Sequence, residues 1–130
     1  MDRYEGGMKI RRDVLGDEHV DRALEKATET DADFQRFITE VAWGAVWARP
    51  GLDRRSRSLV TIAILGALGR EELDLHLKAA KRTGATLEEI KEVLLHVAVY
   101  AGVPAANRAM ERLKKIYDED TSGAGGERAR

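Results

Sequence analysis

The chain has no cysteine. That absence removes disulfides, thiolate nucleophiles and cysteine-ligated zinc together. Proline occurs only at Pro50 and Pro104, and no segment alternates polar and apolar residues between turn signals, so strands are not expected. Charge of one sign is missing too: the formal net charge is -1, which gives nucleic acid or an anionic membrane no electrostatic hold. The most apolar run, Leu59–Leu68, falls short of the roughly 20 residues a spanning helix needs. No apolar leader follows Met1, and the expected location is the cytoplasm. Histidine is scarce, with His19, His76 and His96 the only three.

What remains is a 130-residue chain that is 43% apolar and 35% charged, the composition of one globular domain. Its periodicity is helical throughout. A short first helix covers about Arg3 to Val14 and stops at Gly16. Asp17 is placed to cap a second, with Val20, Ala23, Leu24 and Ala27 as its stripe. Asp31 or Asp33 can cap a third, with Phe34, Phe37, Ile38, Val41 and Ala42 on one face. It leads through Trp43 and Trp47 to a break at Arg49-Pro50-Gly51. Asp53 opens the fourth, most apolar helix, which ends near Gly69.

A fifth helix spans about Glu71 to Arg82, with Gly84 suited to its left-handed end. Thr86-Leu87-Glu88-Glu89 is a capping-box pattern for the sixth, whose apolar face is Ile90, Val93, Leu94, Val97 and Ala98. Pro104 fits the first turn of a seventh. The expected domain is residues 1–120, all-α with six to seven helices, followed by a disordered tail at 121–130. Helices four and six are too apolar for a lone bundle to cover, which predicts a homo-oligomer.

Glu72 and His76 are the first candidates for chemistry. On a helix a carboxylate four residues before an imidazole shares its face, and can orient it and favour its protonated form. Spacing alone fits an exposed ion pair better. Two such residues do not fill a metal shell, so no metal is expected. His96, on the apolar face before Tyr100, reads as a buried, hydrogen-bonded core histidine, and His19 as a solvated one. Arg49, Arg54, Arg55 and Arg57 cluster around the turn entering helix four, facing solvent, an interface or an anionic substrate. Trp43 and Trp47, four apart, suit a core or subunit interface. No phosphate loop, nucleophile elbow or dinucleotide fingerprint is present.

Several segments together are more specific. Trp43-Gly44, Trp47-x-Arg49-Pro50-Gly51-Leu52, Arg57-Ser58-Leu59-x-Thr61-Ile62-Ala63, Glu71-Glu72-Leu73-x-Leu75-His76-Leu77 and Tyr100-Ala101-Gly102-Val103-Pro104-Ala105-Ala106-Asn107 resemble the 4-carboxymuconolactone decarboxylase family. Tyr4-x-x-Gly7-Met8-Lys9 and His19-Val20-Asp21 extend the resemblance toward the N-terminus. It covers about residues 3 to 118.

The resemblance implies an AhpD-like helical fold assembled as a trimer or hexamer. It further implies a cofactor-free carboxy-lyase of the protocatechuate branch of the β-ketoadipate pathway. Such an enzyme takes a small dicarboxylate lactone, γ-carboxymuconolactone, to β-ketoadipate enol-lactone and carbon dioxide. A lyase of the same family acting on another small lactone or acid, or a non-catalytic helical oligomer, are the alternatives. The peroxidase relatives carry Cys-x-x-Cys and a histidine where this chain has Gly69, Glu72 and His76, which excludes thiol-based peroxide reduction. The implied roles are His76 as proton or hydrogen-bond donor, with Glu72 orienting it. Arg49 and Arg57 serve as carboxylate clamps, and Trp43, Tyr100 and Pro104 as an apolar wall. His96 is a second acid candidate.

Overall fold

In a computed structural model, the backbone is described for residues 1–123 and the side chains for residues 1–118. Among these residues the structure is entirely helical: α1 (Arg3–Leu15), α2 (Asp17–Lys26), α3 (Ala32–Phe37), a π-helix (Ile38–Trp47), α4 (Arg54–Leu68), α5 (Leu73–Thr83), α6 (Leu87–Tyr100) and α7 (Val103–Gly123). The helix α7 takes in positions 121–123, where the tail was expected to begin. The rest of that segment, 124–130, lies outside the described residues.

The chain divides into two compact units, Met1–Arg57 and Ser58 onward, with the boundary inside α4. In the first unit α1 begins with a capping box: the Glu5 N–H donates to Asp2 Oδ1 at 2.8 Å, and the Asp2 N–H donates to Glu5 Oε1 at 3.2 Å. Arg12 ties α1 to α2 through Asp17 (3.0 Å) and Asp21 (2.9 Å). The cap of α2 is Gly16, not Asp17, which is the first helical residue. Gly16 adopts φ 91°, a backbone that suits glycine, so the cap is conformational and needs no side-chain acceptor.

The third expected helix rewinds after one and a half turns. From Ile38 to Trp47 it is a π-helix, with i→i+5 bonding that shifts side chains around the axis relative to an α-helix. The expected apolar face is not the buried one: Phe34 and Phe37 on α3 and Val41 on the π-helix are exposed, whereas Thr39 and Trp43 are buried. Trp43 lies against Trp47 with ring centroids 4.9 Å apart. Arg11, 5% exposed, reaches from α1 to donate to Thr39 Oγ1 (3.1 Å) and Gln35 Oε1 (3.0 Å).

The second unit has an aliphatic core of Ile62, Leu73, Leu77, Ile90, Leu94, Leu113 and Ile116. Gly66 of α4 packs close to Ala109 of α7 and Leu94 of α6. Thr86 and Glu89 form the expected capping box (3.0 and 3.1 Å). Gly84 ends α5 at φ 93°. Asp74 on α5 pairs with Arg112 on α7 at 2.9 Å.

Candidate active site

The corner from α4 to α5 sets up His76. Gly69 turns the chain with φ 69°, and the Arg70 N–H then donates to the Leu65 carbonyl at 3.0 Å. Leu73, Leu77 and Ala80 face the core at helical spacing and so fix the rotation of α5. His76 lies beside that buried stripe, half-buried, with its Nδ1 shielded from solvent. Glu72 is the residue just ahead of the helix, φ -63° and ψ -9°, and its side chain makes no capping bond. The bond between the two residues is a main-chain one, with the His76 N–H donating to the Glu72 carbonyl at 3.3 Å. The Glu72 carboxylate is exposed.

In the first unit Arg49 and Arg57 come together around the turn before α4. Arg57 Nη2 donates to the Arg49 carbonyl at 3.1 Å, which tethers one guanidinium while Arg49 remains exposed. Asp53 caps α4 by accepting from the Ser56 N–H at 2.8 Å. That bond holds the Asp53 carboxyl below its ordinary pKa. Arg54 is engaged by Asp13 at 3.3 Å. Trp43 is buried against Trp47 and Pro104 is exposed in the first turn of α7.

Two of the histidines differ from expectation. His19 is half-buried rather than solvated. Burial, then the nearby Arg11 and Arg22 charges, pull its pKa below the ordinary value. His96 is exposed, not a buried core residue. Leu94 and Val97 take the inward positions on α6, and His96 projects beside them with Tyr100 at a centroid distance of 4.9 Å. The His96–Tyr100 pair lines a cleft of about 510 Å³ between α4 and α6, whose α4 wall is Leu59, Val60, Ala63, Ile64 and Ala67. The α4 residues escaped the sequence reading as site residues. Their stripe was visible, but a stripe looks the same whether it fills a core or walls a cleft.

The carboxymuconolactone decarboxylase family model matches residues 32–115, well over half of the chain. The chain belongs to this family. It is 51% identical over 118 residues to the 4-carboxymuconolactone decarboxylase of Acinetobacter baylyi, covering 90% of this chain and 88% of that one. It is 49% identical over 117 residues to the nitrosuccinic acid decarboxylase of Metarhizium robertsii, covering 89% and 82%. An uncharacterised 15.0 kDa protein of Paracoccus denitrificans is 35% identical over 107 residues, covering 79% and 78%. No described helix is long and apolar enough to cross a membrane.

Proposed function

We propose that this family member decarboxylates 4-carboxymuconolactone to β-ketoadipate enol-lactone. The observation that carries the reading is the 51% identity to a named enzyme of that activity across nearly the whole length of both chains. The chemistry needs little from the protein besides position and charge. The departing carboxylate sits γ to an unsaturated lactone carbonyl. As its C–C bond breaks, the electron pair runs through the double bond onto the carbonyl oxygen. The resulting dienolate is a furan oxyanion, so the substrate is its own electron sink and no cofactor is called for. The protein must bind the two carboxylates, stabilise the oxyanion and deliver a proton to the α carbon.

In this reading His76 donates a hydrogen bond or proton to the dienolate, and Glu72 orients the imidazole. Arg49 and Arg57 hold carboxylates in the bidentate manner that suits guanidinium. The protein works in the cytoplasm as a homo-oligomer. Leu68 on α4 and Leu95 and Val99 on α6 are more than half exposed on the single chain, an aliphatic surface suited to a second copy. Mixing purified protein with enzymatically generated lactone and following carbon dioxide release tests the activity; no release would overturn it.

Nitrosuccinate is the second reading, because the relative named for it is almost as similar. It too is a dicarboxylate with an internal electron sink, since loss of the carboxylate beside the nitro group leaves a nitronate. Comparing kcat/KM for the two substrates decides between them.

A further inference from the structure

We infer that the α4–α6 cleft receives the substrate ring and that His96 is the catalytic residue that protonates the α carbon of the dienolate. The inference rests on the decarboxylation proposed above and assigns its proton-delivery step.

Three observations lead there. The cleft holds about 510 Å³, within the range of small-molecule sites. Its ten lining residues are aliphatic except for His96 and Tyr100. Decarboxylation turns a localised carboxylate charge into neutral carbon dioxide and a delocalised anion, and aliphatic walls favour that change over the charged ground state. Finally, the α carbon of the dienolate needs a general acid within reach, and imidazole is the side chain most often used for that work; His96 supplies the one imidazole in this cleft's lining. Tyr100, its ring tilted against His96 with centroids 4.9 Å apart, is the positioning residue. The ring contact sets the imidazole plane, and its own face extends the wall.

The step balances without a further reagent. The bond to the carboxylate carbon breaks and carbon dioxide leaves. The electron pair passes to the lactone oxygen and returns as the α C–H bond forms with the His96 proton, and solvent reprotonates the imidazole. His76 lies outside the lining of this cleft and takes no part in this proton transfer.

Turnover in heavy water tests the assignment, because a proton delivered from one wall labels one face of the α carbon. Wild-type protein is expected to give a single deuterated stereoisomer. His96→Gln should lower kcat by roughly a hundredfold or more, with KM nearly unchanged, and give label on both faces. Tyr100→Leu should partly scramble the label. Near-wild-type kcat with one-face labelling in His96→Gln would overturn the inference, as would loss of face selectivity in His76→Asn alone.

A second measurement is independent of turnover. Titration with 2-furylacetate, a flat furan ring bearing a carboxylate arm, should shift the His96 imidazole NMR signals, identified by their loss in His96→Gln. If the lactone is not turned over, the proposed activity fails and with it the proton assignment, while shifted signals still place the ring in the cleft. Unmoved His96 signals overturn the cleft assignment whatever the turnover.

Discussion

Gly7 of α1 and Gly44 of the π-helix meet with no room for a side chain on either. A Cβ built on Gly7 would lie 2.9 Å from the Gly44 nitrogen and would run into the Thr39 carbonyl oxygen, and one on Gly44 would strike the backbone of Arg3. These are main-chain neighbours that cannot rotate away, so the two helices cross at backbone contact.

Gly7→Ala should therefore lower the unfolding free energy by about 1–3 kcal/mol or more, the usual cost of overfilling a packed contact. Gly6 has nothing within 4 Å of such a Cβ. Gly6→Ala should raise stability by about 0.5–1 kcal/mol, by removing backbone freedom from the unfolded chain. Denaturant midpoints with equal slopes check both, and equal effects at the two sites would contradict the crossing.

His76→Asn should cut lactone turnover by roughly a hundredfold or more while leaving helical content unchanged by circular dichroism. Arg57→Ala should mainly raise KM. Arg57→Lys should restore little, because a lysine cannot match the planar fork of a guanidinium. Unchanged KM in both arginine variants would assign Arg57 to holding the Arg49 turn.

Stability should fall as pH drops below about 6.5, the ordinary histidine value. The folded state depresses the His19 pKa, so the unfolded chain takes up a proton more readily and acid favours unfolding. The contribution is complete above the unfolded pKa and is lost on the way down to the folded one. His19→Gln should flatten the decline between pH 7 and 5, measured by urea unfolding at each pH.

Arg11 offers a different test. Its buried guanidinium is bonded to two neutral side chains, and burial lowers its pKa. Arg11→Met keeps most of the volume and removes the desolvation penalty, whereas Arg11→Ala leaves a cavity. The alanine variant should be less stable than the methionine variant by about 2 kcal/mol or more, as read from thermal or denaturant unfolding.

Helix boundaries were the most legible part of the fold. Thr86, Gly84, Asp53 and Pro104 each announce a local geometry, and each forms it. Rotation about the helix axis was less legible. Phe34, Phe37 and Val41 share one face at helical spacing, but Thr39 and Trp43, also four apart, are the buried pair, and spacing alone does not say which of two faces turns inward. His96 illustrates the same limit: an apolar neighbourhood in sequence does not tell a core from a cleft wall. Arg11 left no signal, because a buried arginine looks like any surface one in a charged segment.

The π-helical winding of Ile38–Trp47 also changes what the chain can tolerate. A π turn stores one residue more than an α turn between the same two ends. Removing a residue from an α-helix swings everything after it by about 100° around the axis. Here a deletion at exposed Val41 can be absorbed by relaxation to α winding, leaving the Pro50 turn where it was. The segment is a reserve of slack, and length variation that would scramble α5 or α6 can pass through it without moving its ends.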